Sequence, residues 1–123
     1  MSSIYSRLEK LVVDHKRNRE GLERQLGKTT QRLRRQEELR AEYFSLMNRN
    51  LNLIHEFAYS QPCVVEACSI YDSLQNENMF AAKHFELHGE NLKDEERSLK
   101  RKMDDEDDRY HFEYRRIQES RDD

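Results

Sequence analysis

Pro62 is the only proline in 123 residues, and it stands almost at the midpoint of the chain. Proline has no backbone N–H and pushes the residue before it out of helical geometry, so Gln61 ends whatever helix precedes it. Pro62 itself suits the first turn of a following helix, with Ser60 or Gln61 as its cap. Only three glycines accompany it, which leaves almost no turn material for a β-rich fold. The chain therefore divides into two arms, about 2–58 and 62–121, joined by a turn at about 59–62. At 1.5 Å per residue each arm, if helical, is about 85–90 Å long.

Apolar spacing supports helix in both arms. In the first, Ile4, Leu8, Leu11, His15, Asn18 and Leu22 step alternately by four and three residues. A second register runs through Leu26, Thr29, Leu33, Gln36, Arg40, Tyr43, Met47, Asn50, Ile54 and Phe57. The second arm reads Ala81, Phe85, His88 and Leu92, then Glu96, Leu99, Met103, Glu106, Tyr110, Glu113 and Ile117. This alternation is the seam of a coiled coil, and its many polar positions predict weak, adaptable packing. Each arm has one 4–4 step, at Leu22–Leu26 and at Leu92–Glu96, which locally unwinds a supercoil. The two lie at similar distances from the break, so a hairpin would set them nearly opposite each other.

Charge points the same way. Residues 1–61 hold 12 Lys/Arg against 8 Asp/Glu, and residues 62–123 hold 10 against 17. A hairpin centred near 60.5 lays the basic segment 7–35 along the acidic segment 86–114. Exposed ion pairs are individually weak, yet this complementarity favours the antiparallel arrangement over pairing of like arms. The expected fold is an all-α, long antiparallel two-helix coiled-coil hairpin forming one domain over 1–123. An antiparallel dimer of straightened chains would satisfy the same seams.

Composition narrows the function. Leu, Ile, Val and Phe number 26, about 21% of the chain, and there is no Trp. That is too little apolar surface to line a catalytic cavity. No Ser/His/Asp, Cys/His or glycine-rich phosphate arrangement occurs, and the chain is expected not to be an enzyme and to need no cofactor. His84 and His88 share a helix face without further ligands nearby, and the run from Asp104 to Asp108 lacks the glycine and alternating oxygens of a calcium loop. No metal site is expected, and the run reads as a solvated face opposed by Arg17, Arg19 and their neighbours. The basic stretches Lys16–Arg19 and Arg32–Arg35 are interleaved with no aromatic platform and face an acidic arm, so nucleic acid is not expected as a partner. The first twenty residues carry charges every few positions, and no apolar run reaches membrane-span length. Cys63 and Cys68 fit a reducing compartment. These features lead to an expectation of cytoplasmic location without direct membrane insertion.

Two regions hold more apolar surface than a bare hairpin needs. Around the break lie Tyr43, Phe44, Leu46, Met47, Leu51, Leu53, Ile54, Phe57, Ala58 and Tyr59, then Val64, Val65, Ala67, Ile70 and Tyr71. Arg49 is the one Lys or Arg between 43 and 80. This region is either a partner surface or a locally thicker bundle with helix breaks near 72–78 (Asp72, Ser73, Asn76, Asn78). Where the termini meet, Ile4, Tyr5, Leu8, Leu11, Val12 and Val13 lie near Tyr110, Phe112, Tyr114 and Ile117, rimmed by Arg7, Lys10, Arg109, Arg115 and Arg116. Val13 and Phe112 are the candidates to point outward, and an apolar end with a charged rim suits insertion into another protein.

A hairpin of this length with polar seams, joined termini and an apolar tip resembles the central stalk proteins of bacterial type III secretion, the YscO-like and FliJ-like family. The resemblance is architectural. Its closest textual echo is the basic–aromatic stretch Lys102-Met103, Asp108-Arg109-Tyr110 and Tyr114-Arg115-Arg116-Ile117-Gln118-Glu119. It implies a non-enzymatic stalk linking a hexameric secretion ATPase to the membrane export gate and escorting secretion chaperones, at the inner membrane through a protein complex. Carried onto this chain, it puts the ATPase on Val12, Val13, Tyr110, Phe112, Tyr114, Arg115 and Arg116. The export-gate protein would meet Phe57, Tyr59, Val64, Val65 and Tyr71. The alternative is a coiled-coil scaffold or adaptor acting by self-association or by binding a partner helix.

Overall fold

A computed structural model describes residues 3–60 and 64–120, with the side chains of Tyr59, Ser60 and Val64 outside that description. Two long helices, α1 (Ile4–Ser60) and α2 (Val64–Glu119), pack against each other as a hairpin. Gln61, Pro62 and Cys63, where the turn and the cap of the second arm are expected, lie outside the described residues. At the start of α1, Ser3 Oγ accepts the Ser6 N–H at 3.1 Å and the Ser3 carbonyl accepts the Arg7 N–H. The Ser3 side chain thus satisfies one of the donors that a helix start leaves open. At the other end the Ser120 hydroxyl donates to the Ile117 carbonyl at 2.7 Å.

The contacts fall into two units, one formed by Met1–Gln31 with Lys93–Asp123 and the other by Arg32–Leu92. In the terminal unit Leu11, Leu99 and Ile117 are buried, with Ile4, Leu8, Leu22, Leu26 and Met103 half-buried beside them. Cross-helix pairs there join residues 91 apart (His15–Glu106), 88 apart (Arg19–Asp107) and 66 apart (Thr29–Glu95). Separations that shrink along α1 are the signature of antiparallel packing. Thr29 is the most buried side chain among the described residues, at 1% exposure. Its hydroxyl lies 3.1 Å from the Gln25 carbonyl and 3.3 Å from Glu95 Oε1, so a polar atom at the seam keeps acceptors on both helices.

In the Arg32–Leu92 unit Met47, Leu51, Ala67 and Leu92 form the buried apolar part. The rings of Tyr43, Phe44 and Phe85 meet pairwise at centroid distances of 5.4–6.0 Å in edge-on or tilted geometry. Gln36 is buried too, and its Nε2 donates to the Phe85 main-chain carbonyl at 2.6 Å.

Three details of the expected seam differ. Arg40, Asn50 and Phe57 are exposed, Leu51 is buried where the spacing predicts Asn50, and Ala58 is half-buried where it predicts Phe57. In α2 His88 is exposed and Gly89 faces α1 instead, so the extra four-residue step falls at Phe85–Gly89 rather than Leu92–Glu96. The reason is space: a Cβ at 89 would stand only 3.3 Å from Gln36 Oε1, so the seam is crowded there. Finally, α2 runs unbroken through 72–78. Asn78, expected as a breaker, is half-buried in the seam, and its Oδ1 is buried without a hydrogen-bond partner. The locally thicker bundle with breaks there is therefore excluded.

Candidate partner-binding faces

The terminal unit is held by a polar cluster that also decides which side chains are left for a partner. Glu106 receives the Arg109 guanidinium through Nε at 3.0 Å and Nη2 at 2.8 Å, and the Asn18 amide at 3.1 Å. His15 Nδ1 lies 3.2 Å from the same carboxylate. Arg19 donates to Asp107 at 2.8 Å. The hydrogen bond from Arg109 is the main cause that holds the Glu106 carboxyl down at about 2, with Asn18 and His15 adding to it against the opposing effect of burial. The same pairing raises Arg109 above its ordinary value. Arg19 thus opposes the acidic run as expected, while Arg17 is exposed. Other ion pairs, such as Arg97–Asp94, Lys100–Glu96 and Arg116–Glu113, close within one helix.

Tyr110 belongs to this cluster. Its ring stacks on His15 at 4.1 Å and 19° and meets Tyr114 at 5.9 Å. Both tyrosines are half-buried, so each offers a partner only part of its surface. Phe112 differs: it is 62% exposed and stands five residues before buried Ile117, about 140° round the helix from it. With Arg115, Arg116 and Glu119 it lines a shallow groove of about 200 Å³. Val12 and Val13 are exposed on α1. Helical spacing places Val12 on the Tyr114 side of the unit and Phe112 on the other. The seven residues named for the ATPase therefore do not share one surface: Val12 lies on the Tyr114 side, Val13 about 100° further round α1, Tyr110 against His15 in the seam, and Phe112 with Arg115 and Arg116 on the other side.

Of the residues named for the gate, Phe57 and Val65 are exposed, and Val65 is 81% so. The side chains of Tyr59 and Val64 lie outside the described residues. Tyr71 is half-buried; its hydroxyl accepts the Gln75 amide at 3.0 Å, and its ring lies 6.5 Å from that of His55. It lines a groove of about 380 Å³ with Ile54, His55, Ala58, Ala67, Cys68 and Asp72, where two alanines leave the helices without large side chains to fill the space. A second groove, of about 360 Å³, is lined by Arg32, Arg35, Gln36, Leu39, His84, Phe85 and His88. His84 and His88 stack at 6.5 Å, and among the described residues no group of three potential metal ligands comes together.

Fold and faces together define a helical-hairpin protein whose exposed apolar side chains exceed what its own seam uses. Among the described residues no helix is long and apolar enough to cross a membrane. Comparison with known proteins finds no matching family model, no matching curated relative and no matching solved structure.

Proposed function

We propose that this chain is a non-enzymatic coiled-coil stalk of a bacterial type III secretion system, linking a hexameric export ATPase to the membrane export gate and escorting secretion chaperones. One observation carries the reading: Phe112, Arg115 and Arg116 form an exposed aromatic–basic face on the outer side of α2, away from a seam already closed by Glu106, Tyr110 and Ile117. The hairpin does not need that face for its own packing, and an exposed phenylalanine bordered by Arg115, Arg116 and Glu119 has the composition of an interface core with a charged rim. In this reading it enters the pore of the ATPase ring, the protein acts at the cytoplasmic side of the inner membrane, and Phe57 and Val65 serve the gate end. A polar seam suits a shaft that must sit in several ring positions.

The test is a pull-down of the tagged chain from its native cytoplasm, followed by ATPase turnover with and without it. Recovery of the ATPase, with stimulation lost in Phe112→Ala, supports the stalk. Recovery without stimulation by the intact chain sinks it. A second reading, a scaffold that self-associates or binds a partner helix, is favoured by a separate observation: Leu39, Leu46, Leu53, Ile70, Phe80 and Leu87 are all exposed in the Arg32–Leu92 unit.

A further inference from the structure

Leu39, Leu46 and Leu53 recur every seven residues on α1 and are 41%, 57% and 58% exposed. Together with Phe57 they form a straight stripe about 80–120° round the helix from buried Met47, outside the hairpin's own seam. Leucine every seven residues fills one of the two core positions of a heptad, and Phe57, four residues after Leu53, fills the other at one end, so the stripe offers a narrow apolar face to another helix. Bordering it are Arg35, Glu42, Arg49 and Glu56, each three residues after or four before a stripe leucine, and all exposed. Their charges alternate strictly.

We infer that a second copy of this chain covers the stripe, with the two α1 segments 35–57 antiparallel about a twofold axis beside Leu46. Charge sets the register. In an antiparallel coiled coil, residues of one heptad position flank the same position of the other helix. About this axis Arg35 faces Glu56 of the copy and Glu42 faces Arg49 of the copy, and each pairing occurs twice by symmetry. Leu39 meets Leu53 of the copy, and Leu46 meets itself. A slip by one heptad sets Arg35 against Arg49, or Glu42 against its own counterpart, so the alternation specifies one register and penalises its neighbours. The groove beside Arg35 and Leu39, lined also by His84, Phe85 and His88, is continuous with the stripe and receives Phe57 of the copy. This inference deepens the self-associating scaffold reading. Its face is distinct from the aromatic–basic face around Phe112, and it shares only Phe57 with the residues proposed for the gate.

The experiment uses the full chain with Cys63→Ser and Cys68→Ser. Sedimentation should give a dimer at micromolar concentration. Leu46→Cys should cross-link to itself on oxidation, whereas Leu39→Cys should cross-link efficiently only when mixed with Leu53→Cys. Glu42→Arg or Arg49→Glu alone should weaken association roughly tenfold, and the two together should restore it. Helicity measured on each variant separates lost association from lost folding. A monomer throughout the micromolar range overturns the inference, as does a dimer that neither cross-links through Leu46→Cys nor responds to the charge changes. Such a dimer would keep the scaffold reading while rejecting this face, whereas ATPase stimulation by a strict monomer would favour the stalk.

Discussion

Gln36 and Gly89 share one space between the helices of the Arg32–Leu92 unit. A Cβ on Gly89 would stand 3.3 Å from Gln36 Oε1 and 3.5 Å from its Nε2, while that amide is tied to the Phe85 carbonyl at 2.6 Å. The bare backbone at 89 is what lets a buried glutamine reach a main-chain acceptor on the opposite helix.

Gly89→Ala should consequently behave unlike the other two glycines. At Gly21 and Gly27 a Cβ would meet nothing within 4 Å, so alanine at either should stabilise the hairpin by about 1 kcal/mol through helix propensity and reduced freedom of the unfolded chain. At Gly89 the same gain is opposed by displacement of the Gln36 amide, worth about 1 kcal/mol. Denaturant melts should show a near-neutral Gly89→Ala, and a double-mutant cycle with Gln36→Ala should show coupling that Gly27→Ala lacks.

Glu106 sets an acid limit. Its folded value of about 2 lies below the ordinary 4.5, so its contribution is fully present above pH 4.5 and is lost as pH falls toward 2. The amount is on the order of 2 kcal/mol, discounted because Arg109 is substantially exposed and screened by solvent. Thermal melts followed from pH 7 down to pH 2 should lose stability across that window. Glu106→Gln should be less stable at neutral pH and should lose less on acidification.

Asn78 offers the opposite case. Its Oδ1 is buried without a partner, so Asn78→Leu should stabilise the chain by about 1 kcal/mol, by removing an unsatisfied acceptor and adding apolar contact. A fall in melting temperature would show that the amide is satisfied in solution.

The functional faces carry their own expectation. Phe112→Ala and Arg115→Glu alter exposed side chains and should leave stability within about 0.5 kcal/mol. Under the stalk reading both should abolish stimulation of the secretion ATPase in a coupled turnover assay. Val12→Ala, on the other helix, tests whether the face on the Tyr114 side is needed.

Both helices and their pairing are legible in the sequence because leucines at three- and four-residue steps, Leu8, Leu11, Leu22, Leu92 and Leu99 among them, admit few alternatives to a seam. The register near Phe85 is not. A scan for apolar side chains prefers His88 to Gly89, since a glycine contributes space rather than a side chain, and only the reach of Gln36 shows that space is what the seam needs. Asn78 misleads for a related reason: its turn propensity is a local preference, overridden here by packing along an otherwise helical stretch. Among the candidate site residues, exposure separates what composition groups together. Tyr110 and Phe112 are both aromatic and two apart, yet one is stacked on His15 and the other stands in solvent.

Only seven apolar side chains are buried among the described residues, and the rest of the seam is half-covered or polar. Unfolding such a chain exposes little new hydrocarbon to water while it exposes a great deal of peptide backbone. The heat-capacity change per residue should then fall below the usual 12–15 cal/mol/K, roughly the range for compact domains, and the curve of stability against temperature should be shallow. A thin seam therefore gives this hairpin a broad thermal plateau, with melting spread over a wide interval and little loss of structure on cooling.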